Sequence, residues 1–210
     1  MKIKNINIAT SWNDVTLKQL DALRHVNNDD RDAEFKIIDI LSDLTFDDAY
    51  RLDMNDFNTI MDKLKFLNTN PDVVIPTEEL VINGRKFTVT LMAHRMTAAQ
   101  FLDYNSIMNM DVDKKNARVM ACFTIPDNHS YNDGYDTEEL IDFLWNNLSV
   151  QEVANYTRFF MILYKAFAEA MVKSSIRETK KMKIPAVKKK ELITQQKELL
   201  HLIKSGGFTA

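Results

Sequence analysis

The residues able to do chemistry are few and scattered. The four histidines, His25, His94, His129 and His201, lie far apart and form no H-E-x-x-H pattern, so no pair is set on one helix face as a zinc site needs. The one cysteine, Cys122, sits in the apolar run Val119-Met120-Ala121-Cys122-Phe123, which predicts a buried, protonated thiol rather than a nucleophile. Glycine occurs only at 84, 134, 206 and 207, so neither a Walker A loop nor G-x-G-x-x-G can be built, and there is no G-x-S-x-G. Residues 127–136 (DNHSYNDGYD) have the composition of a calcium loop. With Gly134 at loop position six, however, His129 would stand first and Leu140 twelfth, where acids are required; a structured surface turn is expected instead. The pairs Asp29/Asp30 and Asp47/Asp48 fall at helix starts, where carboxylates favour the helix dipole. No catalytic, cofactor or metal site is expected, and the chain reads as a non-enzyme.

One group is dense. Lys180, Lys181, Lys183, Lys188, Lys189 and Lys190 fall within eleven residues. Residues 172–210 hold ten Lys or Arg against three Glu, whereas residues 1–171 hold 17 against 27 acids, so a basic appendage follows an acidic body within a net charge of −3. Such lysines can neutralise phosphates with salt-dependent affinity. No aromatic residue lies between Ser174 and Gly207, which leaves base stacking without support, and contact with an acidic protein is favoured over nucleic acid. Residues 188–204 are amphipathic, with Leu192, Ile193, Leu199, Leu200 and Ile203 on one side. The candidate partner-binding residues are therefore the six lysines with Leu192, Leu199 and Ile203; this helix either folds back on its own body or lies on a neighbour.

The elements that position these groups are mostly helical. Low Gly and Pro content favours helices, and 210 residues suffice for a real core. Capping boxes at Thr16-x-x-Gln19, Thr97-x-x-Gln100 and Ser149-x-x-Glu152 mark three helix starts, and Thr45-x-x-Asp48 a short one. Helical spacing links Phe35, Ile37, Ile38, Leu41 and Leu44, then Phe57, Ile60, Met61, Leu64 and Leu67. The helix opened by Ser149 is expected to reach about Lys173, with Val153, Tyr156, Phe160, Leu163, Tyr164, Phe167 and Met171 on one stripe. Asn83-Gly84 between β-rich runs predicts a type I′ hairpin with Ile82 paired to Arg85, placing Leu80, Ile82, Phe87, Val89 and Leu91 on one face. Trp12 and Trp145 are expected as core anchors. The fold class is mainly α: residues 1–173 form a helical domain with a central β-hairpin at about 79–91, and residues 174–210 form a basic linker and amphipathic helix. Pro185 blocks one continuous helix there. A single cysteine, no apolar N-terminal run and no apolar stretch near ~18 residues predict a protein kept in a cytosol, off the membrane.

Several segments resemble a loosely defined group of tailed-phage proteins from phages of gut bacteria, including the crAss-like lineage. These are Ser11-Trp12-Asn13-Asp14-Val15-Thr16-Leu17-Lys18-Gln19, Asp56-Phe57 with Leu64-x-Phe66-Leu67, Ile82-Asn83-Gly84-Arg85-Lys86-Phe87, Met96-Thr97-Ala98-Ala99-Gln100-Phe101-Leu102-Asp103 and Tyr131-Asn132-Asp133-Gly134-Tyr135-Asp136. They cover roughly residues 10–170 in order and are caps, a turn and a loop rather than active-site motifs. The resemblance implies a tail assembly chaperone or a virion component of the neck or tail. Its partners would be other phage structural proteins, with homo-oligomers if it stays in the virion and the host bacterial cytoplasm as the site of assembly. The separate basic arm tilts the expectation towards a virion component that clasps the next subunit. Residues 174–210 lie outside the resemblance.

Overall fold

The computed structural model describes residues 6–27, 29–92 and 95–204, and for 160–168, 170, 171 and 202–204 the backbone alone. The expectations on Ile3, on His94 and on the side chains of Phe160, Leu163, Tyr164, Phe167, Met171 and Ile203 fall outside what is described. The described residues divide into two compact units, one from 6–91 with 95–157, the other from 158–204 with Met92.

The first unit begins with a hydrogen-bonded knot. The Asp14 carboxylate accepts from the backbone N–H and hydroxyl groups of both Thr10 and Ser11 at 2.9–3.1 Å. Burial raises the Asp14 pKa, but these four bonds outweigh it and the net displacement is downward. Helix α1 (Leu17–Arg24) then starts from the Thr16 capping box, as its spacing predicts. Helices α2 (Ala33–Leu41), α3 (Phe46–Tyr50) and α4 (Met54–Lys63) follow, α3 with its own reciprocal Thr45–Asp48 box. A 3-10 turn over Leu64–Asn68 ends this run. Val15, Ile38, Leu41, Ala49, Ile60 and Leu64 are buried in one core cluster. Trp12 closes its edge: the indole N–H donates to the Thr69 carbonyl at 2.9 Å, and the ring meets Phe66 edge-on at 5.3 Å.

Strands β1 (Glu79–Ile82) and β2 (Arg85–Val89) form the hairpin in the expected register, Ile82 opposite Arg85. Asn83 and Gly84 both take positive φ, 49° and 78°, as the tight turn demands. The whole expected inner face, Leu80, Ile82, Phe87, Val89 and Leu91, is buried. The hairpin is not two-stranded, however. Residues 124–126, to which the sequence reading assigns no element, form β3 (Thr124–Pro126), antiparallel to β2. The order β1-β2-β3 leaves β3 at an edge, where Pro126 needs no ladder N–H on its open side. The architecture is mainly α with a small three-stranded antiparallel sheet.

Helices α5 (Ala98–Met108), α6 (Lys115–Phe123) and α7 (Thr137–Asn147) pack in series, α5 on α6 and α6 on α7. Gln100, the third residue of α5 and the closing member of its capping box, is 1% exposed. Its side-chain oxygen accepts from the Thr97 N–H at 2.9 Å, and its amide donates to the Cys122 carbonyl at 2.9 Å and Thr90 Oγ1 at 3.3 Å. One glutamine thus ties helix start, sheet and helix α6 together.

Helix α8 (Val150–Lys181) starts from the Ser149–Glu152 box and runs through both units. Its entry pairs with the entry of α1: the Leu17 N–H donates to the Leu148 carbonyl, and the Val150 N–H to that of Val15. The expected end near Lys173 is corrected: the helix continues to Lys181. No Gly or Pro interrupts 174–181, and Lys180 and Lys181 in its last turn suit the negative end of the helix dipole. Helix α9 (Ala186–Lys204) follows a break of four residues ending at Pro185, so what reads as a basic linker is largely helix. Among the described residues no helix is long and apolar enough to cross a membrane.

Candidate functional site

The second unit carries the lysine group. Helix α9 folds back on the last turns of α8. The Gln196 amide donates to Ser175 Oγ at 2.8 Å and to Thr179 Oγ1 at 3.0 Å, and Thr179 is 3% exposed. Lys189 Nζ donates to the Lys180 carbonyl at 3.2 Å, capping the end of α8. The packed stripe of α9 is Lys189, Leu192, Ile193, Gln196 and Leu200, all partly buried. Leu199, expected on the same side, lies at the margin of this stripe and is exposed. Ile203 lies in α9, its side chain undescribed.

This pairing turns residues 180–190 into the tip of a helical hairpin. The tip holds six lysines and no acid. Lys180, Lys181, Lys183, Lys188 and Lys190 are exposed, and Lys181 pairs with Glu178 at 2.9 Å. Met182 and Val187 stand out of the same tip at 49% and 83% exposure. The tip therefore presents exposed lysines around two exposed apolar side chains.

Three other places in the first unit bear on function. An open cleft of about 550 Å³ lies between β2, α7 and the 127–136 loop, lined by Arg85, Phe87, Pro126, Tyr135, Leu140 and Phe143. The Arg85 guanidinium lies over the Phe143 ring, 4.8 Å from its centroid. The loop itself is a structured turn, as expected. Asn128, Asn132 and Gly134 have positive φ, and the Tyr131 hydroxyl donates to the Asp103 carboxylate at 2.8 Å. Burial, and then the hydrogen bond to Asp103, push the Tyr131 pKa up. Nearby Cys122 is buried, and burial pushes its thiol up to about 11, leaving it protonated at neutral pH.

The third place is an aromatic patch that sequence reasoning missed. Phe35 of α2 is ringed by Phe46, Tyr50 and Phe57 at centroid distances of 6.3, 5.2 and 5.5 Å. The phenylalanines are half-buried, but Tyr50 and Met54 are 63% and 68% exposed. Residues 29–56 carry ten acids against three bases, and Glu34, Asp39 and Asp47 are exposed. The helical spacing of Phe35 and Phe57 signals a core stripe, and nothing in the sequence marks its outer edge as open.

Comparison with known protein families, with curated proteins and with solved structures finds no match for this chain.

Proposed function

We propose that this chain is a non-enzymatic morphogenesis protein of a tailed phage. In this reading it is a structural component of the neck or tail that meets other virion proteins, further copies of itself included, through its C-terminal arm. The observation that carries the reading is the tip at 180–190, where lysines surround exposed Met182 and Val187 on a helical hairpin. Exposed charge of one sign steers encounter and fixes register with a partner of the other sign. The segments resembling phage proteins add the setting: assembly in a host bacterial cytoplasm and delivery into the virion.

A second reading is a tail assembly chaperone that holds a phage tail protein and leaves. The exposed run Val73, Val74 and Ile75, at 37%, 64% and 83%, favours it, since such a run suits cover for another chain's apolar surface. Both readings are tested by affinity capture of the tagged full chain from phage-infected cells, with nuclease treatment. The expected result is stoichiometric recovery of a phage neck or tail protein, lost in the triple variant Lys183→Glu, Lys188→Glu, Lys190→Glu. Recovery of nucleic acid alone, abolished by nuclease, would overturn both in favour of nucleic-acid binding.

A further inference from the structure

The geometry points to the acid-rimmed aromatic patch of α2, α3 and α4 as the acceptor for the lysine tip of a second copy of this chain. This rests on the reading that the arm binds further copies, and it names the surface they meet.

The patch is chemically the tip's complement. Its centre is a group of rings, Phe35, Phe46, Tyr50 and Phe57, with Tyr50 open to solvent and exposed Met54 three residues before Phe57 on α4. Ring faces attract ammonium groups, and more strongly once water is displaced. Around the rings, carboxylates share helix faces with the aromatics: Asp39 is four residues after Phe35, and Asp47 is three before Tyr50. Both are exposed, and neither caps a helix. Arg51 and, at the far end of α4, Lys63 are the exposed bases of α3, α4 and the turn between them.

The tip supplies what such a surface selects. Lys183, Lys188 and Lys190 are exposed and bracket the apolar side chains of Met182 and Val187. Those two side chains fit against Tyr50 and Met54 while the ammonium groups reach the carboxylates and ring faces. Because the two surfaces differ, the contact is head-to-tail, and copies joined this way close into a ring or run into a filament. The charge balance chooses a second copy as the occupant: ten acids against three bases over residues 29–56 face six lysines and no acid over residues 180–190.

The test is sedimentation velocity of the full chain at low and high salt. Two charge-reversed forms are compared with wild type, one with Lys183→Glu, Lys188→Glu and Lys190→Glu, the other with Asp39→Lys and Asp47→Lys. Wild type is expected to self-associate, and each reversed form to lose association by on the order of tenfold or more. An equimolar mixture of the two is expected to regain association with the copies alternating, because the intact tip of one meets the intact patch of the other and the reversed tip meets the reversed patch. A form carrying all five substitutions should regain self-association. Tyr50→Ser with Met54→Ser tests the apolar centre without touching charge, and should weaken association similarly. If the tip reversal abolishes association while the patch reversals leave it unchanged, the arm binds copies elsewhere; the inference then fails and the proposed function stands. A wild-type chain that stays monomeric while its tip still captures a different phage protein also overturns the inference alone. A monomer that captures none overturns both.

Discussion

Replacing Gln100 by alanine should destabilise the first unit by ~2–4 kcal/mol. Gln100 Oε1 closes the capping box on the Thr97 N–H, and loss of that reciprocal bond costs about 0.5–1 kcal/mol. The larger part comes from the Cys122 carbonyl, which receives the Gln100 amide at 2.9 Å. The residue four positions on is Pro126, which has no N–H to replace it, and the chain there has already turned into β3. Leaving a buried carbonyl unmade costs about 1–3 kcal/mol. For a chain of this size each kcal/mol moves the midpoint by roughly 2–4 °C, so thermal unfolding followed by circular dichroism should shift down by ~4–16 °C. Gln100→Glu separates the two parts, because it keeps the acceptor and loses the donor. The new carboxylate would be buried beside the Cys122 carbonyl, so its folded pKa is raised and its folded form holds the proton longer than the unfolded. Stability should therefore rise as the pH is lowered towards the ordinary carboxylate range, where the protonated acid again donates. An alanine variant within about 2 °C of wild type, or a glutamate variant insensitive to acid, would refute the reasoning.

Gly134→Ala should cost ~1–2 kcal/mol in urea unfolding, because φ is +80° and the new Cβ would meet His129 Nδ1 at 2.7 Å. Gly84→Ala has the same backbone penalty but open space around it, so its cost should be smaller. Cys122 should react with a thiol reagent at pH 8 only on unfolding. Its pKa is near 9 when unfolded and about 11 when folded, so the unfolded chain releases its proton first and stability should fall as pH rises from 9 towards 11, a loss absent in Cys122→Ser. Asp14, held below its ordinary 3.8, contributes stability at neutral pH that is lost as pH falls through the lowered value; Asp14→Asn should match wild type only at that acid end of an unfolding series.

The local punctuation of this fold was legible because it rests on short-range bonds. Thr16, Thr97 and Ser149 cap the helices their spacing announces, and Asn83-Gly84 fixes a register that places five side chains inward. Strand β3 was not legible: Thr124–Pro126 is too short to show a period, and only pairing with β2 makes it a strand. The lysine-rich segment misled in its form, because a solvated helix face and a linker share a composition. Its six lysines stand together in the sequence as a group. What the sequence could not supply was their division of labour, with Lys189 turned in to cap α8 and Leu199 left at the edge of the packed stripe. The aromatic patch escaped for a related reason. Phe35 and Phe57 fit a core stripe, and whether a stripe is covered depends on the third dimension.

Mass spectrometry of purified mature particles tests a structural role in the virion most directly. A stoichiometry matching a symmetric ring of neck or tail proteins is the result this account gives. Absence from particles, with abundance in the infected-cell lysate, would contradict it and leave the assembly chaperone.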